Sequence, residues 1–191
     1  MHSRRCLNKE KGKMNLGILG PAGSGKGFAA RYIANKYGYE IINMGDIVRA
    51  LARKEHLTPT RDNLEKLQAK YSKKYGKDFV MGKVLEKVRG IKGKVIIDGI
   101  RKPIQARLAK SKLHAKLILI DADPEVRFKR MKLRRRTGFA KTFKEFRESE
   151  IKEDNIFNLK STFSMADYTI DNSGSKRELI RNINSLMKRI K

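Results

Sequence analysis

Cysteine is nearly absent from this chain: Cys6 is the single thiol in 191 residues. One thiol excludes an intrachain disulfide and a cysteine-built zinc site. Histidine is also scarce, and His2, His56 and His114 lie too far apart in sequence to suggest a metal or acid–base cluster. Tryptophan is missing, and the tyrosines and phenylalanines are dispersed, with no stacking platform for single-stranded nucleic acid. No run approaches the ~18 apolar residues of a membrane-crossing helix. The N-terminus lacks the apolar segment of a secretory signal, so the expectation is a cytoplasmic protein with no membrane partner. Negative charge is the last shortage. Against 46 Lys and Arg stand 20 Asp and Glu, a net charge of +26. Such an excess points to polyanionic partners: nucleotides, coenzymes or RNA. Lysine spread over nearly every helix is equally read as a compositional bias. The oligomeric state is not legible.

What is present is led by Gly20-Pro21-Ala22-Gly23-Ser24-Gly25-Lys26-Gly27. The apolar run 15–19 before it reads as a buried strand, and 27–37 after it reads as a helix ending at Gly38. Strand, glycine-rich turn, lysine and helix form the setting of a phosphate-binding loop. Glycines let backbone N–H groups converge on an anion, the helix N-terminus adds free donors, and Lys26 reaches the outer phosphates. The candidate ATP-binding residues are therefore Gly20 through Gly27 with Phe28 behind them. One position departs from the usual pattern. Gly27 stands where a Ser or Thr hydroxyl ordinarily ligates magnesium, and Ser24 lies within the loop as a phosphate contact.

Residues 1–13 carry charge without periodicity and read as a disordered basic lead, with the compact domain at 14–191. Further strands are expected at 39–44, 94–98, 115–121 and 168–171. Helices are expected from Gly45, from Thr58-Pro59 to Tyr75 with Thr58 as cap, and over 79–88. Others should follow Pro103 to about Lys110, start at Asp123-Pro124, and start at the Thr142/Glu145 and Ser175/Glu178 capping boxes. Five apolar strands alternating with helices predict an α/β fold, a parallel sheet covered on both faces. Ligands of such sheets bind beyond the carboxyl ends of the strands. Those ends carry the glycine loop, Asp46, Asp98, Asp121 and Asn172, the last joining the ATP-binding set.

Phosphoryl transfer needs a phosphate cradle, a metal partner, an acceptor anchor and mobile cations. Asp98 closes a strand and is the candidate ligand for Mg²⁺ and a candidate acceptor-binding residue, or else a helix cap. Asp46 and Arg49, three apart on one helix face, suit an acceptor site: Arg49 for a phosphate, Asp46 for a hydroxyl proton or a ribose. An ordinary surface ion pair is the alternative. Arg101 follows Asp98 in a turn and would hold the acceptor or the transferring charge. Seven of the ten residues from Arg127 to Arg136 are Lys or Arg, a candidate lid over about 127–141, a solvated helix face or an RNA-binding stripe. Arg130 and Arg134, with Arg136 after them, are the candidate catalytic cations beside Lys26 and Asp46. Acceptor-binding helices are expected over about 45–90.

These residues resemble the P-loop kinases of nucleotides and coenzymes. The stretch 20–27 looks like the adenylate kinase loop, Met44-Gly45-Asp46-Ile47-Val48-Arg49 like that family's acceptor stretch, and Asp98-Gly99-Ile100-Arg101 like a shortened form of its Asp-Gly-Phe-Pro-Arg. Ala166-Asp167-Tyr168-Thr169-Ile170-Asp171-Asn172-Ser173-Gly174-Ser175 is similar to the last strand and helix of dephospho-CoA kinases, in which the carboxylate after the second strand, here Asp46, serves as base. Taken together, the chain from about Met14 onward is similar to archaeal adenylate-kinase-related nucleotide kinases. The resemblance implies a P-loop three-layer sandwich with strand order 2-3-1-4-5, a short lid, and ATP with Mg²⁺. It implies kinase activity on a nucleoside monophosphate, or on the ribose 3′-hydroxyl of dephospho-CoA. An RNA- or ribosome-associated ATPase and a non-catalytic nucleotide-binding relative are the other expectations. The adenylate kinase loop also has glycine after its lysine but continues with threonine where this chain has Phe28. The archaeal group usually has Ser after the loop lysine, and there Gly27 departs from the pattern.

Overall fold

The computed structural model describes residues 14–76, 78–134 and 140–190. Along the chain these form β1 (Leu16–Leu19), α1 (Lys26–Tyr37), β2 (Tyr39–Asn43), α2 (Met44–Lys54), α3 (Arg61–Tyr75), α4 (Phe79–Arg89) and β3 (Lys94–Asp98). They continue with α5 (Pro103–Leu113), β4 (Lys116–Asp121), α6 (Pro124–Leu133), α7 (Phe143–Phe157), α8 (Leu159–Phe163), β5 (Tyr168–Asp171) and α9 (Lys176–Arg189). The five strands make one parallel sheet in the order β2-β3-β1-β4-β5, as the strand runs and the resemblance imply.

Between their charged ends the central strands are apolar (Val95–Ile97 in β3, Leu117–Ile120 in β4), because both faces are covered. On one face Ile18, Ile96 and Ile118 pack with Ala30 and Ile33 of α1 and Leu179, Ile183 and Leu186 of α9. On the other, Leu19, Ile97 and Leu117 pack with Ile47 and Val48 of α2, Met81 and Val84 of α4, and Ala106 and Ala109 of α5. Two cores back to back fix the carboxyl ends of β1, β2 and β3 in register: Asp98 lies opposite Ile18 on one side and Asn43 on the other. The chemistry-bearing ends are thereby brought to one edge.

Local signals fixed most boundaries, with four differences. Met44, expected as the last residue of a strand, is the first of α2, because Asn43 accepts from the Asp46 amide and caps the helix there. The cap of α3 is Thr60, not Thr58; its hydroxyl accepts from the Asn63 amide, and Thr58-Pro59 precede the helix. The Thr142 box is half formed. Thr142 caps the Glu145 amide, but the Glu145 carboxylate reaches back to the Lys141 amide. The short α8 had no periodic signal and was not expected. Tyr71, Tyr75 and Phe79, distant enough in sequence to read as dispersed, gather at the α3–α4 junction with ring centroids 5.0–5.6 Å apart. Among the described residues no helix is long and apolar enough to cross a membrane. The expected basic lead at 1–13, and Arg136 with the neighbouring part of the expected lid, lie outside the described residues.

Candidate functional site

The glycine loop joins the end of β1 to α1, and its shape is dictated by what surrounds it. Gly23 has φ 80° and Gly25 has φ 93°, backbone that L side chains rarely adopt. A Cβ at Gly23 would stand 2.6 Å from the Arg127 carbonyl oxygen, and one at Gly25 would collide with the Asn172 side chain. Asn172, buried at the end of β5, donates from Nδ2 to the Ser24 carbonyl at 2.7 Å. Asn172, expected among the ATP-binding residues, lies against the glycine loop and is bonded to its backbone. Lys26 opens α1 and its Nζ donates to the Pro21 carbonyl at 3.0 Å. Burial, with the nearby positive charges of Arg101 and Arg134, lowers the Lys26 pKa to about 8, while Asp98 and Glu153 oppose that fall.

Asp98 is 7 % exposed at the end of β3. Its Oδ2 accepts from Asn43 Nδ2 at 2.8 Å, and its Oδ1 is buried with no hydrogen-bond partner. Burial pushes the Asp98 carboxyl up from its ordinary range, and the Lys26 charge, the Asn43 hydrogen bond and the Arg31 charge pull it back. Asn43 therefore serves twice, capping α2 through Oδ1 and holding Asp98 through Nδ2. Asp46 and Arg49 meet one turn along α2, with Arg49 Nη2 and Nε donating to Asp46 Oδ1 at 2.6 and 3.1 Å. Arg101 lies 3.6 Å from Glu153 and over the Phe157 ring, centroid 5.3 Å away.

The basic stripe divides. Arg127 is buried: Nε donates to the Ala122 carbonyl at 2.8 Å, Nη1 donates to the Ala22 carbonyl at 3.4 Å and pairs with Glu150, and the guanidinium covers the Phe146 ring. This first residue of the stripe is a strut beneath the glycine loop. Arg130 Nη2 donates to the Gly174 carbonyl at 3.2 Å, and its buried Nη1 has no partner. Arg134 ends α6, close enough for its charge to act on Lys26.

The loop fits a polyphosphate: its glycines leave the cradle clear of side chains, and the buried Ser24 hydroxyl, like Asp98 Oδ1, has no partner. Among the described residues no cluster of three or more His, Cys, Asp or Glu is placed to hold a metal. Magnesium keeps most of its waters beside phosphates and needs only one or two carboxylates, so the unpartnered Asp98 Oδ1 suits it. Gly27 contributes no hydroxyl. Sequence reasoning missed Asn43, Arg127 as a strut, and the two α7 carboxylates Glu150 and Glu153. An Asn before a helix signals a cap, which would have found half of the Asn43 role. The others depend on tertiary contacts and leave no local signal.

A five-stranded 2-3-1-4-5 sheet with a glycine loop after its central strand defines the fold of the P-loop kinases. Crystallographic shikimate kinase from Bacteroides thetaiotaomicron shares it, with a TM-score of 0.60 over 93% of this chain and 98% of that one at 14% identity. A family model described as AAA domain matches residues 19–153. A UPF0200 protein of Pyrococcus horikoshii is 32% identical over 179 residues, 91% of this chain and 95% of that one. A UPF0200/UPF0201 protein of Archaeoglobus fulgidus is 30% identical over 177 residues, and there the chain spans 54% of the relative's length. The chain belongs to the AAA domain family and to the UPF0200 proteins.

Proposed function

We propose that this protein is an ATP-dependent phosphotransferase whose acceptor is a nucleoside monophosphate. The observation that carries the reading is the juxtaposition of Lys26, half-buried at the start of α1, with Asp98, buried at the end of β3, each within reach of the other's charge beside the glycine loop. In this reading the amides of residues 20–28 and the Lys26 amino group hold the donor phosphates, and Ser24 Oγ offers one further donor. Asp98 would hold magnesium directly or through water, and the metal would supply charge neutralisation to the donor phosphates. Arg49 and Arg101 exchange their carboxylate partners for the acceptor phosphate. Arg134, and Arg130 behind it, neutralise charge on the moving phosphoryl group. The acceptor oxygen forms a bond to the γ-phosphorus as the bond to the β–γ bridging oxygen breaks, and ADP departs.

A second reading is favoured by the carboxylate of Asp46, which stands at the acceptor edge where a monophosphate needs no base. A ribose hydroxyl, such as the 3′-hydroxyl of dephospho-CoA, does need one, and Asp46 would take its proton. The comparisons lend no support to an RNA partner. A coupled ADP-release assay across the nucleoside monophosphates and dephospho-CoA tests the proposal. Turnover with a monophosphate supports the first reading, turnover with dephospho-CoA the second. ADP release that no acceptor accelerates sinks both.

A further inference from the structure

Gly27 is the position at which this loop departs from its pattern, and the backbone does not demand a glycine there. Gly27 is the second residue of α1, in helical conformation, and a Cβ built on it meets a single neighbouring atom within 4 Å: Arg31 Nη1, at 3.6 Å. Arg31 lies four residues on, and helical side chains lean toward the N-terminus, so its guanidinium extends up the face that the missing hydroxyl would occupy. Arg31 is exposed and makes no hydrogen bond or ion pair among the described residues, in a chain where Arg49, Arg101 and Arg127 are each held by a carboxylate. Its charge reaches Asp98. The first turn of α1 carries no acidic residue to compete for it.

We infer that Arg31 is a phosphate-binding residue of the donor site. It takes over part of the charge neutralisation that a hydroxyl-anchored metal gives in loops of the usual pattern, so that ATP binds here with unusually weak dependence on divalent cations. The inference rests on the loop being an ATP site. A guanidinium suits the place: it is always charged, carries several N–H donors, and forms short charge-assisted bonds to phosphate oxygens.

The test is calorimetric titration with ATP in excess magnesium and, separately, in EDTA. The informative quantity is the ratio of the two dissociation constants. In the wild-type protein the two should lie within about tenfold of each other, the scale of one charge-assisted hydrogen bond. Arg31→Gln should weaken metal-free ATP about tenfold while weakening the magnesium complex much less, with partial recovery in Arg31→Lys. Gly27→Ser, which the structure accommodates without a clash, should widen the ratio in favour of magnesium. Should Arg31→Gln fail to fold, judged by its thermal melt, Gly27→Ser decides alone. A wild-type protein that binds only the magnesium complex overturns the inference. So does an Arg31→Gln variant whose two constants are unchanged or shifted equally, or a Gly27→Ser variant with an unmoved ratio. A wild-type protein that binds ATP in neither condition overturns the nucleotide site itself, an outcome distinct from those three.

Discussion

The glycine loop, proposed as the donor end, and the Asp46–Arg49 edge, proposed for the acceptor, are built to opposite rules. At the donor end each part of the loop is held by something distant in sequence: Asn172 on Ser24, Arg127 on Ala22, and the backbone around Arg127 against Gly23. The polar groups left over there, Ser24 Oγ and Asp98 Oδ1, are buried and unpartnered. At the acceptor edge the reverse holds. The Arg49–Asp46 side chains are 41 % and 67 % exposed, and each arginine already has a carboxylate partner. Buried polar groups without partners cost roughly 1–3 kcal/mol each and are kept where a ligand will complete them, whereas an exposed ion pair is worth about 0–1 kcal/mol and is easily traded. The donor end is preorganised and the acceptor edge is exchangeable.

The largest effect that would sharpen this contrast is at Lys26. Lys26→Met should abolish ATP binding yet raise the stability of the unliganded protein by about 2 kcal/mol at pH 7, since a charge is no longer held in a buried place. The sign follows from the lowered pKa, about 8 against an ordinary 10.5. Between those values the unfolded wild-type chain binds more protons than the folded one, so wild-type stability rises with pH through that window. The advantage of Lys26→Met should therefore shrink from pH 8 to about 10.5, as followed by urea denaturation at each pH. A variant less stable than wild type at neutral pH would show that the loop is not strained by its lysine.

Gly25→Ala comes next. Its φ of 93° and the Asn172 side chain in the way should cost about 2–3 kcal/mol of stability along with nucleotide affinity. Asn172→Ala keeps the backbone and removes the hydrogen bond to Ser24, so about 1–2 kcal/mol is expected. If both variants melt like wild type, the loop is not held as described. Asp98→Asn separates chemistry from stability. Phosphoryl transfer should fall by about a hundredfold or more, while the melting temperature holds or rises because a buried carboxylate is neutralised.

The same division explains what was legible in the sequence. The three central strands were visible as short apolar runs, since both faces of that part of the sheet are covered. The loop was visible because its glycines answer local backbone demands. Ser175 and Glu178 close the capping box their spacing implies. What stayed hidden depends on partners far along the chain. Nothing around Arg127 distinguishes it from the other cations of its stripe, and only the fold reveals Glu150 and the Ala22 carbonyl beside it. Asn43 read as a strand residue: its cap on the Asp46 amide is local, but its bond to Asp98, 55 residues on, forms only when β2 and β3 pair.

The smallest expected effect on the fold, and the sharpest on the contrast, belongs to Arg49. Arg49→Ala removes one member of an exposed i,i+3 pair, which should change stability by less than about 0.5 kcal/mol. Its consequence should appear in acceptor binding: KM for the acceptor about tenfold higher, with ATP affinity unchanged, since the glycine loop is held by Asn172 and Arg127 and not by α2. Asp46→Asn distinguishes the two acceptor readings from the same edge. A phosphate acceptor should bind somewhat better once its rival for Arg49 loses its charge. A hydroxyl acceptor should instead lose kcat with KM little changed, because the group that takes its proton is gone. A loss of ATP affinity in either variant would mean that the two ends of the cleft are coupled, and the separation between a fixed donor end and an exchangeable acceptor edge would fail.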